Sequence, residues 1–182
     1  MSTAKKESRL ARLGAVALII ALYVGLFNLS GGQQANLLLG TASPVFLPAF
    51  VRLFGVLVAG IWAIPALFIA ALLCVDFGLG PSERALVSLM LATGAPLAIM
   101  VTSRLMQLDP TLTNLTPMRL LVLSIASGLG NSLFYNFALF LVGIHTDPIT
   151  GHVATFVGDV IGTWVIIYTI KLGWHFFWRQ RT

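Results

Sequence analysis

Charge is what this sequence has least of. Lys, Arg, Asp and Glu make up 9% of its 182 residues, against about 25% in a soluble domain. Apolar residues make up 58%, and the mean hydropathy is +0.94. Such a chain cannot be dissolved as a water-soluble globule, and its 182 residues leave no stretch for a soluble domain with a core of its own. Acidic residues are scarcer than basic ones, six against eleven, for a net charge of +5. That excess does not point to nucleic acid, because the basic residues sit at the edges of apolar runs and are not interleaved with exposed aromatics. The single cysteine, Cys74, excludes an intramolecular disulfide and, lying in an apolar run, reads as a small core residue. A Gly-rich phosphate loop, paired catalytic carboxylates, a zinc signature and a nucleophile motif are all missing; Gly128-Leu129-Gly130 lies inside an apolar span, not between a strand and a helix. The expectation is a non-enzymatic protein with no catalytic, cofactor-binding or metal residues.

What the sequence has is long apolar runs punctuated by Gly, Pro and charge. They read as six spans at 13–30, 44–58, 62–77, 85–105, 118–143 and 152–171. The expected fold is a single all-α domain, 1–182, a polytopic transmembrane bundle of about six helices. Lys5, Lys6, Arg9 and Arg12 resemble the charged start of a signal peptide, but the apolar run that follows is span-length and 30–35 is a weak cleavage site, so an uncleaved first span is expected. The second and third spans are short and share a tight turn at Gly60, which leaves a re-entrant 44–58 as an alternative. Charge placement decides between them. With six spans, nine basic residues (Lys5, Lys6, Arg9, Arg12, Arg104, Arg119, Lys171, Arg179 and Arg181) share one side with both termini, and Arg84 stands alone on the other. A re-entrant second segment would divide them five and five. The positive-inside rule then puts both termini in the cytoplasm of a bacterial inner (plasma) membrane protein. The aromatic and basic tail, 172–182, reads as an interfacial anchor.

Arg52 is the most informative residue. A charge at mid-span costs on the order of 2.5–3.5 kcal/mol on insertion scales and so needs an interior partner. The one acidic residue in the interior of a span is Asp159. Each lies about eight residues, or ~12 Å, from the outer end of its span, so the two are expected to pair in an outward-facing polar core. Ser124, Gly128, Ser132 and Asn136 recur every four residues as one small, polar stripe, with Asn131 beside it. Thr155, Asp159, Gly162 and Thr163 share a face of the last span, and Pro44, Pro48, Arg52 and Gly55 a face of the second. The polar core thus comprises Arg52, Asp159, Asn136, Asn131, Ser132 and Thr155, with Gly128, Gly158 and Gly162 for close helix packing. Such a set serves equally a small-molecule ligand or the choice of helix neighbours. His145, Asp147 and His152 share the last outer loop, but their short spacing lacks a fourth ligand, and turn and cap roles are expected instead of metal.

Phe46-Leu47-Pro48-Ala49-Phe50-Val51-Arg52 through Ala66-Leu67-Phe68, then Leu108-Asp109-Pro110 with Leu115-Thr116, and finally Phe156-Val157-Gly158-Asp159-Val160-Ile161-Gly162 resemble, in order and spacing, the first type of MASE domain, a bacterial membrane-associated sensor. That resemblance covers most of the chain after about Pro44. It implies a Pro-rich helix start early, a Gly-Asp pair followed by Gly late, and a sensory role upstream of a signalling enzyme. In a chain with fewer spans than the family usually has, it implies a stand-alone module acting through a partner. Size and span count are also similar to the substrate-capturing components of energy-coupling-factor transporters. Three roles are therefore expected: a sensory or accessory subunit of a membrane complex, a small-solute-binding or transport component, or a purely structural assembly subunit. The partners expected are the lipid bilayer, a membrane-protein partner or a second copy of the chain, and a small-molecule ligand, with no nucleic acid.

Overall fold

In a computed structural model, residues 3–32, 43–144 and 147–179 are described. They form helices α1 (Thr3–Leu29), α2 (Pro48–Ala59), α3 (Ala63–Cys74), α4 (Pro81–Leu105), α5 (Pro117–Leu141) and α6 (Pro148–Arg179), with a 3-10 turn at Gly60–Trp62 between α2 and α3. No strand occurs among the described residues.

Each later helix except α3 starts where the sequence supplies a stop for the orphan N–H groups of the first turn. Proline opens α2, α4, α5 and α6, where its missing donor costs nothing. The Gly80 N–H donates to the Glu83 carboxylate (3.0 Å) ahead of α4, and Thr116 Oγ1 accepts from the Arg119 N–H (3.3 Å) at α5. Asp147 caps α6 by accepting from the Thr150 N–H at 2.8 Å, a bond that holds its carboxyl below the usual range. The α4–α5 loop is organised the same way. Asp109 accepts from the Thr111 N–H (3.0 Å) and the Thr113 hydroxyl (2.7 Å), which likewise lowers its pKa.

Among the described residues, five stretches are long and apolar enough to cross a membrane: Leu10–Leu29, Pro48–Cys74, Pro81–Leu105, Pro117–Leu141 and Ile149–Phe176. Polarity is inverted relative to a soluble protein. Leu18, Leu133 and Phe137 are exposed, while Arg52, Ser88, Asn131 and Asp159 are buried, as expected where lipid is the solvent. This is an all-helical, multi-pass membrane protein. Against the six spans expected from the sequence, two of them short, stand five such stretches, and the difference lies in Pro48–Cys74. Gly60 has φ +57° and ψ −132°, and the chain reverses there. Phe27 and Tyr23 of α1 pack on Phe46, Ile19 on Gly55, and Arg12 over Trp62, so α2 runs antiparallel to α1. Cys74, at the end of α3, is back beside the cavity that Tyr23 and Phe27 line. Each arm of this hairpin has 12 residues, about 18 Å of helix, short of the ~30 Å hydrocarbon layer. Gly60→Ala is expected to destabilise the fold by about 1–3 kcal/mol, because L-residues avoid that backbone region; thermal unfolding in detergent measures it.

The remaining helices alternate. Arg84 Nη2 donates to the Leu72 carbonyl, setting the start of α4 beside the end of α3. Gly94 and Gly130 bring α4 and α5 into backbone contact: a Cβ on Gly130 would stand 2.5 Å from the Gly94 carbonyl oxygen. The start of α1 and the end of α6 consequently lie at one end of the bundle, and the first turns of α2, α4 and α6 lie toward the other.

Candidate functional site

The segment that delivers Arg52 is irregular. The expected span from 44 begins instead at Pro48, and 43–47 is a non-helical strap of bends and a turn that reaches helical geometry at Leu47 (φ −57°, ψ −34°), just before the proline. The strap is pinned to α6 by the Phe46 N–H, which donates to the Gly158 carbonyl (2.9 Å), and to α1 by the Leu47 N–H, which donates to Ser30 Oγ (3.2 Å). Gly158 and Gly162 admit it: a Cβ on Gly158 would meet the Ser43 carbonyl and one on Gly162 the Phe46 carbonyl. The sequence pattern assigns both glycines to helix–helix packing; the structure seats a strap on them. Gly128 does face a helix, against Phe156 and Val160 of α6.

One turn into α2, Arg52 is 1% exposed. Its Nη1 donates to Asp159 Oδ2 at 2.9 Å and its Nη2 to the Tyr23 hydroxyl at 3.2 Å. The guanidinium carbon stands 4.8 Å from the centroid of the Phe46 ring, a cation–π contact in a desolvated setting. Asn131 Nδ2 donates to the same Asp159 oxygen at 2.7 Å. That bond fixes the Asn131 amide, since its reverse would set oxygen against oxygen. Its Oδ1 is consequently an acceptor, buried and without a donor. Asn136 is fixed likewise, with Nδ2 on the Ser132 carbonyl (2.8 Å) and Oδ1 unmatched.

Beside this network lies a cavity of about 50 Å³, lined by Tyr23, Phe46, Arg52, Cys74, Tyr135 and Asp159 among others. That is room for roughly three to five waters or a compact solute. Comparison with family models, curated proteins and solved structures gives no match.

The polar stripe of α5 meets α6 over its full length. Trp164 Nε1 donates to Ser124 Oγ (3.1 Å), Ser132 Oγ donates to the His152 carbonyl (2.8 Å), and Asn136 Nδ2 reaches Thr155 Oγ1 (3.4 Å). Thr155 also borders the cavity. Ser132 and Asn136 therefore tie the helices together next to the site, whereas Arg52, Asp159 and Asn131 build it. His145 lies outside the described residues, as do 180–182 of the tail; no metal-binding group of His, Cys, Asp and Glu occurs among the described ones. Tyr23 and Tyr135 escaped the sequence reading, although a phenol inside an apolar run is itself a sign that some polar group is waiting for it.

Proposed function

We propose that the chain is a non-enzymatic module of a bacterial inner membrane that binds a small ligand in this cavity and acts through a partner protein, as a sensor of the MASE kind would. The observation that carries the reading is the origin of the cavity wall: Tyr23 comes from α1, Arg52 from α2, Tyr135 from α5 and Asp159 from α6. A ligand touching four helices binds one packing of them better than another, and that difference in affinity is all a membrane sensor needs. Orientation follows from charge. Arg12, Arg104, Arg119 and Lys171 sit toward the end of the bundle remote from the cavity, and Arg84 sits at the cavity end. By the positive-inside rule, both termini are cytoplasmic and the cavity faces outward.

The same outward cavity also favours a second reading, a solute-capturing component that hands its ligand to a transporter. Native mass spectrometry of the protein from its own membrane in mild detergent separates the two. A retained small molecule together with a stoichiometric protein partner is the expected result. A lone chain carrying the molecule favours solute capture, a partner without a molecule favours an accessory subunit, and a lone empty chain overturns the proposal.

A further inference from the structure

Resting on the reading of the cavity as a ligand site, we infer that its ligand is uncharged and presents an amide-like edge, with a hydrogen-bond donor beside an acceptor. Of the described residues that line the cavity, Arg52 brings the one positive charge and Asp159 the one negative, and they are already in contact at 2.9 Å. The site is therefore neutral as it stands. An anion would compete with Asp159 for the guanidinium and strand a carboxylate; a cation would compete with Arg52 and strand the guanidinium. Either outcome leaves an unpaired charge in a low-dielectric core, which is the costliest arrangement available there.

Hydrogen-bonding capacity points to the same class. Two of the five guanidinium N–H groups are engaged, one on Asp159 and one on Tyr23, which leaves donors. Acceptors are left too: Arg52 and Asn131 both donate to Oδ2 of Asp159, which leaves Oδ1 of a carboxylate that lines the cavity. Donor and acceptor thus stand side by side on one charge-neutral network, a pattern that an amide edge complements and a carboxylate or ammonium does not. The rest of the wall is mostly apolar, Phe27, Phe77 and Leu91 included, so the remainder of the ligand is a hydrocarbon.

Three probes of similar size and different charge test this: propionamide, propionate and propylammonium, each added at pH 7 to the purified full-length protein in detergent while thermal unfolding is followed. Propionamide is expected to raise the midpoint by roughly 3 °C or more at saturation, and the two ions to leave it unmoved. In Asp159→Asn the site carries an uncompensated positive charge, so preference is expected to pass to propionate; in Arg52→Met it passes to propylammonium. A wild-type protein stabilised more by propionate or propylammonium than by propionamide overturns the inference and leaves the ligand site standing. If none of the probes moves the wild type or either variant, the cavity is not a ligand site, and the proposed function falls with the inference.

Discussion

Asp159→Leu should cost the fold about 3–5 kcal/mol, and adding Arg52→Met to it should restore most of the loss. The single change leaves Arg52, 1% exposed, with the Tyr23 hydroxyl and the Phe46 ring as its partners and no counter-charge. Arg52→Met alone should cost less, because a stranded carboxyl can take up a proton and become neutral, whereas a guanidinium cannot shed one. The double variant removes both charges together and fills the space with hydrocarbon, which buried ion pairs tolerate well. Unfolding midpoints in detergent for the four proteins close a double-mutant cycle. A coupling of roughly 2 kcal/mol or more is expected between side chains in contact at 2.9 Å, and additive losses would rule the contact out. The charge exchange, Arg52→Asp with Asp159→Arg, should recover only part. An arginine placed on α6 loses the Tyr23 hydroxyl and the Phe46 ring, both of which are positioned for a guanidinium arriving from α2.

That pair was legible in the sequence because a membrane leaves a lone arginine few choices. The residue that would match it had to be acidic, intramembrane and at a similar depth, and Asp159 alone qualified. The route to it was less legible. Counting eight helical residues inward from Pro44 assumed a helix that starts four residues later, at Pro48, and a non-helical strap makes up the distance. Periodicity identified the faces of α5 and α6 correctly in outline, since a four-residue recurrence of Ser and Asn in an apolar run can only be an interior stripe. It could not say what the small residues face. Gly158 and Gly162 carry the same spacing whether they receive a helix or a strap, and Gly94 and Gly130, whose contact joins α4 to α5, stand in no recurring pattern. Apolar length leaves the number of full crossings open for a related reason. Apolar length records how much hydrocarbon-compatible chain there is, and the reversal at Gly60 folds one 27-residue stretch into two arms that are each too short to cross alone.

Gly162→Ala should destabilise the protein by about 3 kcal/mol, whereas Gly173→Ala on the same helix should be neutral within about 0.5 kcal/mol. The added methyl at 162 would run into the Phe46 carbonyl, with the Leu47 nitrogen 2.9 Å away; nothing stands within 4 Å of one at 173. An obstructing side-chain tip could swing aside, but a peptide group cannot without the strap moving as a unit, and the strap is tied down at Gly158 and Ser30. Such a movement carries Phe46 away from the Arg52 guanidinium and shifts Ser43, which borders the cavity. Loss of stability should therefore come with loss of the propionamide response, a combination that a defect in generic helix packing elsewhere in α6 would not produce. If Gly162→Ala proved as silent as Gly173→Ala, the strap would not be seated on α6 and the cavity would have no wall on that side. Arg52 would then be held by Asp159 and Tyr23 alone, and the two glycines would need another explanation.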